Sequence, residues 1–104
     1  MYDHQIGLVI GKFMPPHLGH AFLIDSAAKD CNKLIVLIMA RATEPIPGNL
    51  RHKWLTTFYF DKSNVEIRLV PTALVTDYND PNIWNQWIEL IRQHVPEKID
   101  TVFS

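Results

Sequence analysis

His17 and His20 stand three residues apart in the stretch Gly11-Lys12-Phe13-Met14-Pro15-Pro16-His17-Leu18-Gly19-His20, which also holds an amine, two glycines and two prolines. At that spacing both imidazoles fall on one side of a first helical turn. A helix start offers unpaired N–H groups and the positive end of the helix dipole, so two imidazoles added there make a site for a phosphate. Gly11 lets backbone approach a ligand with no side chain between, the prolines stiffen the turn, and Gly19 clears room beside the helix start.

The elements that position these residues follow from periodicity. Ile6, Leu8, Val9 and Ile10 form an apolar run over Gln5 to Ile10, nearly continuous and therefore expected to be buried on both faces of a parallel sheet. Phe22, Leu23, Ala27 and Ala28 mark a helix from about Leu18 to Asp30, broken by Asn32 and Lys33. Leu34 to Ala40 is an uninterrupted apolar strand, so strand, helix and strand make a right-handed βαβ unit. The His-bearing turn then lies where a parallel sheet places its chemistry.

The rest of the chain repeats that pattern. Arg41 to Gly48 carries two prolines and a glycine and reads as a loop over the carboxyl edge. Asn49 caps a second helix to about Phe60, with Arg51 in its first turn and Leu50, Trp54, Leu55 and Phe58 at helical spacing; Trp54 reads as core. Val65 to Val70 alternates as a third strand ended by Pro71. A polar loop through Asp77 and Tyr78 reaches Asp80-Pro81, a cap with proline at the first helical position, and a third helix carries Trp84, Trp87, Ile88, Ile91 and Val95. Ile99 to Phe103 begins another strand. The fold class is α/β, a Rossmann-like parallel sheet with flanking helices in a single domain over 1–104.

Composition narrows the function. Hydrophobic residues at 47% suffice for a core, and a formal net charge of -1 gives no reason to expect nucleic acid or a membrane surface as partner. Lys12, His17, His20, Arg41 and Arg51 nevertheless gather in or beside loops that follow strands, which makes one edge locally positive and suits a polyphosphate. The single Cys31 allows no internal disulfide, no Cys/His cluster has zinc spacing, and no run has signal-peptide or membrane-spanning character. The expected setting is the cytoplasm, with no resident protein-bound metal. His52 and His94 read as surface or capping residues.

Gly-x-Phe-x-Pro-x-His-x-Gly-His resembles the signature of the nucleotidylyltransferase superfamily, matched at Gly11, Phe13, Pro15, His17, Gly19 and His20. Members join a nucleotide to a phosphorylated acceptor and release pyrophosphate. Arg51-x-x-Trp54, Asp77-Tyr78-Asn79-Asp80, Trp84-x-x-Trp87 and Thr101-Val102-Phe103-Ser104 further resemble the nicotinamide-mononucleotide adenylyltransferase domain of NadR-like proteins. The resemblance implies transfer of an adenylyl group from ATP to nicotinamide mononucleotide, giving NAD, by in-line attack of the acceptor phosphate at the α-phosphorus. His20 is then the contact to the transferring phosphate and His17 orients the triphosphate. Gly11, Lys12, Phe13, Met14 and Gly19 cradle the nucleotide, with Arg51 as a phosphate clamp or, alternatively, a solvated helix arginine. Trp84, Trp87, Asp77 and Tyr78 are the acceptor-binding candidates. Trp84, in a first turn at the carboxyl edge, suits stacking on a pyridine ring, while both tryptophans also suit a core stripe. Mg2+ is expected to be held mainly by the ATP phosphates and water.

Two other readings stay open: an adenylyl- or cytidylyltransferase with a different phosphorylated acceptor, and a nucleotide-binding regulatory module without turnover. The family also grips ATP with a distal Ser/Thr-rich segment containing an Arg, which these residues do not match. The expectation is therefore the N-terminal part of the family fold, slow or inactive alone, with its unfinished sheet edge covered by self-association into a homo-oligomer.

Overall fold

The structure, a computed structural model, describes residues 4–73 and 81–104. Strands β1 (His4–Gly11), β2 (Cys31–Ala40), β3 (Val65–Pro71) and β4 (Thr101–Phe103) alternate with helices α1 (Leu18–Lys29), α2 (Gly48–Phe58) and α3 (Ile83–His94). The four strands form one parallel sheet in the order β3-β2-β1-β4. Gly11 pairs with Ile38, so the loops that leave β1 and β2 emerge from the same edge. That edge carries the His-bearing turn.

Alternation along β1 and β2 divides the core between the two faces. Val9, Cys31, Leu34, Val36 and Ile38 pack with Ile24, Ala27 and Ala28 of α1 and with Leu55 and Tyr59 of the α2 region. Leu8, Ile35, Leu37, Met39 and Val70 pack with Val95 and with Trp87, Leu90 and Ile91 of α3. Every residue of β2 from Leu34 to Ala40 is buried, as a central strand between two helical layers requires.

Several expected boundaries move. Strand β2 starts at Cys31, because backbone pairing of His4 with Cys31 and Ile6 with Lys33 continues the ladder through the polar Asn32 and Lys33. Ladder bonds need peptide groups, not apolar side chains. Helix α2 starts at Gly48 with Pro47 at its cap and no side-chain capping bond, so Asn49 lies inside the first turn. Helix α3 starts at Ile83, placing Pro81 in the turn ahead of it; the expected cap Asp80 lies outside the described residues. Ile10, expected inside, is exposed at the carboxyl end of β1.

The larger difference is the rotation of α2. Arg51, Leu55 and Tyr59, spaced by four, face the sheet, while Leu50, Trp54 and Phe58 face outward. Trp54 is 41% exposed and is not a core residue. The buried stripe admits an arginine because its charge finds partners inside, described below. No helix among the described residues is long and apolar enough to cross a membrane.

Candidate functional site

The turn after β1 is built by mutual fitting of side chains. Phe13 is a non-glycine residue at φ 54, held there with its ring only 2% exposed. A Cβ on Gly11 would sit 3.0 Å from that ring. Gly11 thus makes room for Phe13, a different job from the direct ligand approach expected of it. The Phe13 ring lies 4.6 Å from the His20 ring at a tilt of 58°, forming one wall behind the imidazole.

His17 is the N-cap of α1, with extended backbone (φ -140, ψ 178). Its Nδ1 accepts the Gly19 N–H at 3.0 Å, and its own N–H donates to His20 Nδ1 at 3.1 Å. The rings stack with centroids 3.7 Å apart at 20°. A Cβ on Gly19 would fall 2.8 Å from His17 Cε1, so glycine there is what admits the capping ring.

These bonds fix a chemical state. A neutral imidazole whose Nδ1 accepts must carry its proton on Nε2, so each histidine keeps one Nε2–H donor that these bonds do not use. The N–H groups of residues 17 and 19, which a helix start otherwise leaves unpaired, are spent on the rings, so the imidazoles carry part of the donor capacity of the helix start. Burial, and secondly the adjacent His17, lower the His20 pKa, which favours the neutral donor form.

Beside this pair lies a charged knot. Arg51 has no exposed surface; its Nη1 donates to the Lys12 carbonyl at 2.9 Å and its Nη2 to Glu44 Oε1 at 3.0 Å. Glu44 Oε1 also accepts the Arg41 N–H at 2.7 Å, and Oε2 accepts from Lys12 Nζ. Burial pushes the Glu44 carboxyl up, but the Lys12 ammonium, the Arg41 N–H and the Arg51 guanidinium outweigh it and bring the pKa down to about 2.

Arg51 is therefore neither the solvated helix arginine nor a side chain open to a phosphate in this arrangement. It ties the α2 start to the backbone of the His-bearing turn. Lys12, with its side chain 54% exposed, is the cation of the knot that faces solvent. Glu44 was not singled out from sequence; the available signal was a lone acid in a proline-flanked loop between cations at Lys12, Arg41 and Arg51.

A pocket of about 540 Å3 opens against the imidazoles, lined by Pro15, Pro16, His17, His20, Trp54 and Phe58 among others. Its walls are mostly apolar, and His17 and His20, each with an Nε2–H donor, are among the residues that line it, a combination suited to a flat, anionic ligand. Met14 is half-buried in the same turn.

Trp84 is 60% exposed in the first turn of α3, whereas Trp87 packs on the core cluster of the opposite sheet face, matching the core alternative. Asp77 and Tyr78 lie outside the described residues. His52 and His94 each sit on a backbone carbonyl, of Ile67 and Leu90 respectively. Among the described residues no three His, Cys, Asp or Glu side chains group as a metal site.

Residues 8–52 match the cytidylyltransferase-like family, a span that runs from β1 through the imidazole pair to Arg51. The chain is 28% identical over 107 aligned residues to the trifunctional NAD biosynthesis/regulator protein NadR of Escherichia coli, covering 89% of this chain and 25% of that protein. It is also 36% identical over 70 residues to a probable nicotinate-nucleotide adenylyltransferase of Sulfurimonas denitrificans, covering 60% of this chain and 37% of the relative. Together these matches support the nucleotidylyltransferase superfamily, NadR-like.

A NadR protein crystallised with NAD and AMP-PNP superposes with a TM-score of 0.76 at 18% identity, over 95% of this chain and 29% of that one. A bifunctional NMN adenylyltransferase/ADP ribose pyrophosphatase of Francisella tularensis gives 0.67 at 20% identity, over 98% and 31%. At these identities the superpositions establish the shared α/β fold. The chain spans about a quarter of the length of the NadR relatives it matches.

Proposed function

We propose that this chain is the part of a nucleotidylyltransferase that holds the phosphates during adenylyl transfer from ATP to nicotinamide mononucleotide. The observation that carries the reading is the stacked imidazole pair, whose Nδ1 atoms are occupied by backbone N–H groups and whose Nε2–H donors point away from them. The names of two of the similar proteins, an NMN adenylyltransferase and a probable nicotinate-nucleotide adenylyltransferase, suggest the acceptor class.

In the transfer, an oxygen of the acceptor phosphate forms a bond to the α-phosphorus of ATP while the bond from that phosphorus to the bridging oxygen breaks. Pyrophosphate leaves with the electron pair. Charge grows on the non-bridging oxygens, and neutral donors fixed beforehand stabilise it without reorganising. His20 Nε2–H serves the α-phosphate and His17 Nε2–H the departing phosphates. Lys12 adds charge at the mouth of the site, and exposed Trp84 offers a surface for the pyridine ring.

Mg2+ suits this reading only as a companion of ATP. The buried carboxylate Glu44 is committed to Lys12, Arg41 and Arg51, and among the described residues no three His, Cys, Asp or Glu side chains group to hold the ion. When bound on the phosphates, Mg2+ neutralises the pyrophosphate that leaves.

The test is to titrate the protein with MgATP and nicotinamide mononucleotide by calorimetry, then to assay NAD and pyrophosphate. The expected result is binding of both ligands, with any NAD formed matched by an equal amount of pyrophosphate. Substituting phosphopantetheine or an alcohol phosphate as acceptor separates the other transferases. No ATP binding sensitive to His17 or His20 would defeat the proposal.

A further inference from the structure

We infer that Glu44 is a positioning residue of the phosphate cradle: it holds the Lys12 ammonium at the mouth of the site before any ligand arrives. The inference rests on the proposed phosphate-binding reading and extends it to a residue outside the His signature.

Both oxygens of Glu44 are used. Oε1 takes the Arg41 N–H and Arg51 Nη2, which fixes the carboxylate to the loop leaving β2 and to the first turn of α2. Oε2 takes Lys12 Nζ. The Glu44 side chain is only 8% exposed, so water does not compete for it, while the Lys12 side chain is 54% exposed.

An ammonium has three N–H donors and Glu44 occupies one. The Lys12 side chain is 54% exposed, so the other two are open to solvent, and Lys12 belongs to the same turn as His17 and His20. A free lysine would lose its rotamer freedom on meeting a phosphate; here the loss is incurred on folding, which is how preorganisation raises affinity. Arg51 completes the device from behind. Its Nη1 grips the Lys12 carbonyl, so backbone and side-chain end of Lys12 are both anchored to the same knot.

The knot also sets the local charge. Two cations share one carboxylate, leaving a net positive site whose inner member, Arg51, is sealed from solvent. Removing Glu44 raises the positive potential but frees Lys12 to wander. Under this inference the loss of position outweighs the gain in potential, because exposed charges are screened by solvent and salt.

The experiment measures inorganic pyrophosphate affinity by calorimetry in the parent protein, Lys12→Met, Glu44→Gln and the double variant. Lys12→Met is expected to weaken binding on the order of tenfold, as for loss of one charged hydrogen bond. Glu44→Gln should weaken it comparably, and the double variant should bind no worse than Lys12→Met, since the two act through one ammonium. Unchanged or tighter binding in Glu44→Gln, or additive losses in the double variant, overturns the role of Glu44 while leaving the cradle in place. No effect of Lys12→Met overturns the inference too, since Glu44 then has no phosphate contact to position, while the reading of the imidazole pair is decided by His17 and His20 variants. A readout that needs no variant to fold is the Lys12 ammonium 15N signal of the parent protein. It should be resolved from the other lysines and protected from exchange without ligand, and a Lys12 signal averaged with theirs overturns the inference.

Discussion

His17 and His20 cap one helix together: the His17 N–H donates to His20 Nδ1 at 3.1 Å while His17 Nδ1 serves the Gly19 N–H at 3.0 Å, and the two rings lie 3.7 Å apart. The pair therefore does structural work with Nδ1 and leaves chemistry to Nε2. The two jobs reside on different atoms of the same ring, and a substitution can separate them.

Asparagine places its Oδ1 near the position of Nδ1 but has nothing at Nε2. His20→Asn should keep the cap and lose the donor, so that stability changes little while adenylyl transfer falls on the order of a hundredfold. His20→Ala should lose both, with about 1 kcal/mol of stability gone as for other lost caps. Urea midpoints beside single-turnover rates in the active protein check this. Equal activity in His20→Asn and the parent would remove His20 from the transferring phosphate.

The strand, turn and helix around Gly11 to His20 were legible in the sequence because they depend on local periodicity and on a spacing of three between histidines. The tautomer was not, since it depends on which backbone N–H each ring meets after Phe13 is forced to φ 54 and Gly19 admits His17. Helix α2 shows the limit more sharply. Leu50, Trp54 and Phe58 make an apolar stripe, and so do Leu55 and Tyr59 in line with Arg51. Periodicity cannot choose between two stripes on one helix. Compensation of Arg51 by Glu44 decides it, and that contact joins residues from separate elements.

Trp84 and Trp87 divide along similar lines. Trp84 is largely exposed and Trp87 packs on Leu8 and its neighbours, so Trp87→Ala should cost about 2–3 kcal/mol, and Trp84→Ala under about 1 kcal/mol. If Trp84 meets the pyridine ring, nicotinamide mononucleotide quenches tryptophan fluorescence in the parent and in Trp87→Phe, and that quench disappears in Trp84→Ala. A quench that survives Trp84→Ala would place the ring elsewhere.

Acid should weaken the fold in a defined window. Arg68 on β3 donates to Glu97 through both terminal nitrogens and to the His94 carbonyl at 2.8 Å, joining the edge strand to the connection between α3 and β4. The Arg68 guanidinium holds the Glu97 carboxyl well below the usual range, and Glu44 titrates at about 2. A depressed folded pKa means the contribution is complete above the unfolded carboxylate value of about 4.3 and is lost as pH falls through the folded value. Urea midpoints should decline gently as pH drops below about 6.5, where the lowered His20 pKa costs stability, and steeply below about pH 4.3, where the two carboxylates lose their contribution. Glu97→Gln should lower the plateau at neutral pH and make the acid decline shallower; a decline as steep as the parent's would remove Glu97 from the transition.

Arg51 gives the clearest contrast between a ligand clamp and an internal tie. A clamp is idle until the phosphate arrives, so its loss shows in affinity and leaves the empty protein as stable as before. An internal tie acts in the empty protein. With no exposed surface, Arg51 bonds the Lys12 carbonyl at 2.9 Å and Glu44 at 3.0 Å, while its Nε is buried without a hydrogen-bond partner. Removing the guanidinium leaves the Lys12 carbonyl and part of the Glu44 carboxylate without partners in a closed space, so Arg51→Met should cost about 3–5 kcal/mol without ligand. Arg51→Lys has one ammonium in place of a two-pronged fork and should recover only part of that loss. Both are read by chemical denaturation of ligand-free protein, where a clamp predicts no change. A ligand-free stability equal to the parent's, joined to a large loss of ATP affinity, would show that the guanidinium leaves its buried site to meet the phosphate. In that case the Glu44 contact is a resting state that the ligand displaces.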